Sequence, residues 1–429
     1  FIQSVRGVYD LVLLSIPDPT TLVLNRFMTH EFLADVNTIL AENAVLGLRI
    51  SGGANYLGPE YSYIGASALS TLHTVFPEVV MKPGDETWLL ASRGPQLSSS
   101  PGELRDRYAA IPGAASLYPP EGLLSLYLPD RVAFQTQKYQ QVMDTTGRDN
   151  LINSKTRPLG LLYGLLLLIR TTGLVLIRAI HVFAQSGLLI LLTGLLLYVL
   201  LRTVYVLREE RNDYSEPKGS FFDNGVLILT SGLAGISLNI LLLFRYQSQF
   251  GSVFLEIGLI SGVFMLGIFA GSEGLRMWFR KAGDENPFLL PACLLAHLIL
   301  LMGMLQFTTV PSKWVYGVFF FIGGIFTGIY VPIVSLRAEK RGFSPTFSGA
   351  WLEGLDNLGG CVGGLFTGIL LVPVLGQNVV LLFLSGMMGM QLIPALLGRY
   401  RTGGTVLLST FDRRVRTAGY WLFGLGALV

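Results

Sequence analysis

Residues 8–19 read Val-Tyr-Asp-Leu-Val-Leu-Leu-Ser-Ile-Pro-Asp-Pro, and this stretch decides the fold of the first third of the chain. A short apolar run closed by Pro17-Asp18-Pro19 is too brief for a stable helix and reads as a strand buried in a parallel sheet. Working outward, Phe32, Val36, Ile39 and Leu40 recur at helical spacing over 28–42, and residues 44–50 (AVLGLRI) form a second strand ended by Ser51-Gly52-Gly53. A helix over 61–76 carries Ile64, Leu69, Leu72 and Phe76 inward, and strands at 78–82 and 86–91 flank the turn Pro83-Gly84-Asp85. Strand, helix, strand, helix and hairpin is the second half of a doubly wound α/β domain. Ligands of such folds bind outside the carboxyl ends of the strands, here Ser15–Asp18 and Ser51–Asn55.

The rest of the chain has a different composition. Over all 429 residues 51% are hydrophobic and 14% charged, against about 25% charged in an average soluble domain, so much of the chain belongs in lipid. Residues 1–157 carry 12 Lys/Arg and 15 Asp/Glu, leaving 19 and 13 of the totals of 31 and 28 for residues 158–429. A mildly acidic part therefore precedes a basic, apolar one. Cys293 and Cys361 both lie in apolar runs, and His30, His73, His181 and His297 share no ligand spacing, so no metal site and no disulfide framework is expected. Basic residues occur singly, which gives nucleic acid no footprint. Phe1 is not a methionine, so the chain reads as a processed product or part of something longer.

Seven stretches are long and apolar enough to span a bilayer: 187–207, 225–245, 252–273, 287–307, 314–335, 348–374 and 379–397. Arg170, Arg178, His181 and Gln185 fall on one side of a helix, so 158–186 reads as an amphipathic connecting helix at the interface, with an eighth span over 160–183 as the alternative. The expected division is thus 1–157, 158–186 and 187–429. Loops and tail on one side hold Arg208, Arg211, Lys218, Arg276, Arg280, Lys281, Arg337, Lys340, Arg341, Arg399, Arg401, Arg413, Arg414 and Arg416, while the other side holds Arg245 and Lys313. Fourteen against two places the basic loops and tail in the cytoplasm. Seven spans then put residues 1–157 outside, and eight put them inside.

Within the spans Gly267 and Gly271, Gly324 and Gly328, and Gly360, Gly364 and Gly368 repeat at four, which allows close helix approach. Glu353, Asp356, Asn357 and Gly360 make the sixth span the most polar, with Asn239, Glu256, Glu273 and Arg245 as further polar positions. Carboxylates in lipid are expected to be functional and suit a polyamine or proton path. The plainer alternative is that Glu353 and Asp356 pair or cap near the helix entrance.

The ordered series Tyr9-Asp10-Leu11-Val12-Leu13-Leu14, Pro17-Asp18-Pro19, Asn25-Arg26-Phe27-Met28-Thr29-His30-Glu31-Phe32, Asn55-Tyr56-Leu57, Phe76-Pro77 and Trp88-Leu89-Leu90-Ala91-Ser92 resembles the carboxyl-terminal half of the spermidine synthase (polyamine aminopropyltransferase) fold. It is most similar to the bacterial membrane-fused versions, whose exit segment resembles Ile152-Asn153-Ser154-Lys155-Thr156-Arg157-Pro158; their facilitator-like membrane region resembles residues 264–271 and 355–360. The resemblance implies a Rossmann-like methyltransferase or spermidine-synthase type domain, a multi-pass protein of the bacterial inner membrane, and ancestral aminopropyl transfer from decarboxylated S-adenosylmethionine to an amine. It implies that Asp18 orients the amine; Asn55 and Tyr56 read first as loop residues, with a substrate contact as the alternative. Ser15 stands where that family places an aspartate base, Arg49 where it often has a glutamine, and Lys155 where it has an acidic residue. A serine with no histidine beside it in sequence is a poor base, so degenerate catalysis is expected. The glycine-rich loop that cradles the cofactor would precede Phe1, so no cofactor is evident in this chain. The alternatives are a non-catalytic subunit that docks onto a membrane-complex partner or self-associates, and a polyamine-type transporter using Glu353 and Asp356. Asp18 also has a plain reading, as a turn residue between two prolines.

Overall fold

A computed structural model describes residues 6–171, 176–211, 218–251, 254–282, 288–307, 312–340 and 344–396, with side chains omitted at some helix positions. The chain divides into two compact units, Phe1–Gln185 and Ser186–Val429.

The first unit is built on a mixed four-stranded sheet in the order β1-β2-β4-β3. Strand β1 (Tyr9–Leu14) leads through the short α1 (Leu22–Asn25) and α2 (His30–Ile39) to β2 (Leu40–Ser51), which it pairs in parallel. Thr29 caps α2 by accepting the Phe32 N–H, and Glu31 lies in the first turn, where a negative charge favours the helix dipole. After α3 (Pro59–His73), β3 (Glu78–Lys82) and β4 (Glu86–Ser92) form a hairpin that adds antiparallel to β2. Period-two alternation sends Leu46, Leu48 and Ile50 of β2 into the core with Leu33, Val36, Leu72 and Phe76.

One expectation is corrected. β1 is a sheet edge among the described residues, so only Val12 and Leu14 pack on the core, while Val8, Leu11 and Leu13 are exposed. Continuous apolarity at 11–14 does not here mean burial on both faces.

The segment 93–151, which the sequence pattern left unassigned, holds α4 (Pro101–Ala109), α5 (Ala114–Leu117) and α6 (Pro129–Thr146). Helix α6 sends Gln135, Tyr139 and Met143 inward. Asn153 then ties the exit segment down: its Nδ2 donates to Asn25 Oδ1 and to the Met28 carbonyl, both at 3.0 Å, and its Oδ1 accepts the Gly160 N–H at 3.3 Å. Asn153→Ala leaves three buried polar groups without partners, which costs about 2–4 kcal/mol. A chemical denaturation midpoint unmoved by this change would contradict the assignment.

Where an interfacial helix is expected, α7 (Leu159–Thr171) instead buries Leu159, Leu161, Leu162, Tyr163 and Leu166. Tyr163 stacks on Tyr63 of α3 at 4.5 Å, and a Cβ at Gly164 would lie 2.4 Å from the Pro19 carbonyl oxygen. The side chains of Arg170, Arg178, His181 and Gln185 lie outside the described residues. Helix α8 (Leu176–Arg211) is interrupted at Ser186, with φ −125° and ψ 15°.

The second unit continues with α9 (Lys218–Phe250), α10 (Phe254–Ala282), α11 (Leu289–Met304), α12 (Lys313–Gly328), α13 (Tyr330–Lys340), α14 (Pro345–Phe366), a π-helical turn at Thr367–Leu371, α15 (Val372–Leu375) and α16 (Gln377–Leu396). Six stretches among the described residues are long and apolar enough to cross a membrane: Ser186–Tyr205, Phe222–Phe250, Leu255–Arg280, Lys313–Glu339, Ser348–Leu375 and Gln377–Leu396. The expected fourth span, 287–307, corresponds to the shorter apolar helix α11, 16 residues long.

Glycine decides how these helices pair. A Cβ on Gly267 would lie 2.2 Å from the Phe321 oxygen, and one on Gly324 would lie 2.2 Å from the Phe264 oxygen. Gly271 and Gly328 repeat the arrangement one turn on, so α10 and α12 touch backbone to backbone. On α14 the tight positions are Gly359 and Gly363, against the Leu229 and Leu233 carbonyls of α9. The repeat read from sequence as Gly360, Gly364 and Gly368 meets the side chains of Ile236 and Ile240 instead.

Candidate functional site

The carboxyl ends of β1 and β2 lie side by side, with Leu14 opposite Leu48. The chain leaves β1 through Pro17-Asp18-Pro19, and Asp18 Oδ1 accepts the backbone N–H of Ser51 at 3.1 Å. The turn after β2 is held from the other side by Asp85, whose carbonyl accepts the Gly52 N–H at 2.8 Å and whose Oδ1 accepts the Ala54 N–H at 3.1 Å. Gln135 of α6 is fully buried beneath: its Oε1 accepts the Gly84 N–H at 3.2 Å and its Nε2 donates to Thr87 Oγ1 at 3.0 Å. Only glycine fits at 52, because a Cβ there would lie 2.0 Å from Thr87 Oγ1 and 2.4 Å from the Gly84 oxygen.

Two tyrosines feel the charge of this corner. Tyr61 on α3 has its phenol pushed up by burial, then by the negative charges of Asp18 and Glu60. Tyr139 on α6 is pushed well above the usual phenol range, mainly by burial, with Asp18 adding to the rise. Asp18 is half-buried, with one carboxylate oxygen fixed by a backbone N–H, and its charge helps keep both phenols neutral. Tyr139 is fully buried, so what this corner offers to a cation that can donate hydrogen bonds is the half-buried Asp18 carboxylate.

Other sequence-derived positions fall elsewhere. Ser15 is exposed at the end of β1, and no side chain among the described residues hydrogen-bonds its hydroxyl. Asn55 and Tyr56 lie on the exposed turn after β2. Arg49 sits on the sheet face opposite Leu48 and Ile50 and pairs with Glu86 at 2.5 Å, so its charge is matched locally. Lys155 donates its backbone N–H to the Glu31 carboxylate. His30 Nδ1 bonds Thr74 Oγ1 at 2.7 Å, a helix-packing contact.

In the second unit the polar triplet of α14 does not converge. Asp356 is half-buried against α9, where a Cβ on Gly232 would lie 2.7 Å from its Oδ1, whereas Glu353 and Asn357 face outward. Asn239 is half-buried, and Glu273 pairs with Arg276 at 2.9 Å. The two basic residues that stood against the charge asymmetry are both accounted for. Arg245 is buried and donates to the Met304 and Phe307 carbonyls, to Gln377 and to Asn378, tying α9, α11 and α16 together. Lys313 pairs at 2.5 Å with Glu256, which also accepts from the Tyr246 hydroxyl at 2.6 Å.

Sequence reasoning missed Tyr61, Tyr139, Gln135 and a buried ion pair between Arg202 of α8 and Asp223 of α9. The inward i, i+4 pair Gln135 and Tyr139 was available as a signal in α6. Arg202 and Asp223 were legible as opposite charges at the adjoining ends of consecutive apolar helices.

No family model, curated protein or solved structure matches the chain. The fold and its helices define a class: an integral membrane protein of multi-pass type in which a small mixed α/β sheet precedes the helices.

Proposed function

We propose that this protein recognises a cationic amine of polyamine type at Asp18, in the remnant of a spermidine-synthase-like domain, and does not transfer an aminopropyl group. The observation that carries this reading is the half-buried Asp18 carboxylate, fixed by the Ser51 N–H at 3.1 Å beside the carboxyl ends of β1 and β2. The strand order β1-β2-β4-β3, with its parallel β1–α2–β2 crossover, supports kinship with the second half of a doubly wound domain. An ammonium group would bond Asp18 Oδ2, gaining a charge-assisted bond in a half-buried corner. Ser15 lacks the partner a base requires, so binding is retained and proton removal is not.

Span parity supports the same conclusion. Helix α7 is committed to the first unit by its buried leucines and the Tyr63–Tyr163 stack. Counting the 16-residue α11 as a crossing together with the six long stretches gives seven, and seven crossings would put the α/β unit across a bacterial inner membrane from the basic loops. Decarboxylated S-adenosylmethionine would be cytosolic and out of reach.

The test is spermidine titration of the full chain in detergent. Asp18→Asn should weaken binding about tenfold or more, the loss of one charge-assisted contact of roughly 1.5–3 kcal/mol. Ser15→Ala should leave it unchanged. Equal affinities for wild type and Asp18→Asn would contradict the site. Aminopropyl transfer from decarboxylated S-adenosylmethionine would contradict the loss of chemistry.

A further inference from the structure

The outer face of α14 is costly as it stands. Ser348–Leu375 is apolar enough to span, yet Glu353 and Asn357 are exposed on the same face, five and nine residues in from Ser348. Elsewhere in the described spans the exposed charged or carboxamide side chains keep near a span end. Arg276, Arg280, Lys313, Glu339 and Asn378 all lie within four residues of one. At 1.5 Å per residue Asn357 lies about 13 Å in, deeper than water or a lipid headgroup serves the two donors and two acceptor sites of its carboxamide. A polar group in that position is unfavourable unless a protein surface covers it.

The face is also shaped for another helix. Gly354, between the two polar residues, has open space where a Cβ would project, and Leu358, Cys361 and Leu365 continue the exposed stripe. The glycines that pack α14 inside this chain, Gly359 and Gly363, lie on the opposite side against α9, so among the described residues the exposed stripe takes no part in that packing.

We propose that this face of α14 is the two-fold interface between two copies of the chain. A carboxamide complements itself: across a two-fold axis each Asn357 donates one N–H and accepts one at Oδ1, meeting the isologous requirement of a symmetric dimer. Gly354 brings the helix backbones close at that level. Glu353, one turn nearer the span end, sits at the rim where headgroups and water reach it, and Leu358 and Leu365 pack on the apolar side. The inference does not depend on the amine site.

Cys361, one turn deeper than Asn357, is a native reporter. The full chain, in its own membrane with Cys293 replaced by alanine, is treated with a short bismaleimide. A cross-linked dimer is expected, and it should be absent in Cys361→Ser. In nanodiscs Asn357→Leu should stay folded, because the face is exposed, and should weaken dimerisation about tenfold in dissociation constant, as two interhelical hydrogen bonds are lost. Gly354→Leu should weaken it further by separating the backbones. A chain that stays monomeric in nanodiscs and gives no dimer adduct overturns the proposal. So does an adduct formed only with a different protein, or a dimer whose affinity Asn357→Leu and Gly354→Leu leave unchanged.

Discussion

Leucine in place of Gly324 is expected to prevent correct assembly of the membrane helices. The Cβ alone would lie 2.2 Å from the Phe264 carbonyl oxygen of α10, and that oxygen belongs to a backbone that cannot step aside without breaking the matching contacts at Gly267, Gly271 and Gly328. Overpacking against side chains that can shift costs about 1–3 kcal/mol, and against a rigid backbone seam the cost lies at or above that upper figure. For a unit of this size about 3 kcal/mol is roughly 6–12 °C in Tm, so the variant should elute as aggregate or melt far below wild type. Gly258 and Gly262 on α10 have open space around them, and alanine at either should leave Tm within about 2 °C of wild type. If Gly324→Leu gave a monodisperse protein with the wild-type melting curve, α10 and α12 would not meet through these glycines.

The second large effect concerns Arg202 and Asp223, which are 7% and 0% exposed and joined by an ion pair between α8 and α9. Leucine at 223 leaves a buried guanidinium without its counter-charge, and such a loss costs about 3–5 kcal/mol. Arg202→Met combined with Asp223→Leu should recover most of that stability, because the desolvation penalty disappears together with the attraction. The thermal midpoints of the two single variants, the double and the wild type form a cycle that isolates the coupling. A double variant no more stable than Asp223→Leu alone would show that the two residues act through other partners.

The parts of the fold that were legible in the sequence are those where local pattern and burial agree. The hairpin Glu78–Lys82 and Glu86–Ser92 was marked by Pro83-Gly84-Asp85, and β2 by its apolar run and the glycines that end it. Helix α6 was missed because its buried side is carried by Gln135 and Tyr139, which do not register as an apolar stripe. The apolar start of α7 reads identically for lipid and for a protein core, and only packing against Tyr63 and Pro19 separates the two. The candidate site was half legible. Asp18 stood out by its place after β1, whereas Tyr61 and Tyr139, whose phenols feel its charge, stand on helices that begin far along the chain. On α14 the sequence put Glu353, Asp356 and Asn357 together, but a helix face is wide enough to divide them between α9 and the outside.

The most direct test is the side of the membrane on which the α/β unit lies. Leu117 is exposed at the end of α5, and a cysteine there, in a chain with Cys293 and Cys361 replaced by alanine, reports that side without touching the core. With intact cells and a membrane-impermeant maleimide, seven crossings predict labelling of Leu117→Cys before lysis, and protection of a cysteine at Arg341 in the opposite loops until the membrane is opened. Leu117→Cys that labels only after lysis would place the unit in the cytoplasm, require an eighth crossing, and contradict an external amine-binding domain.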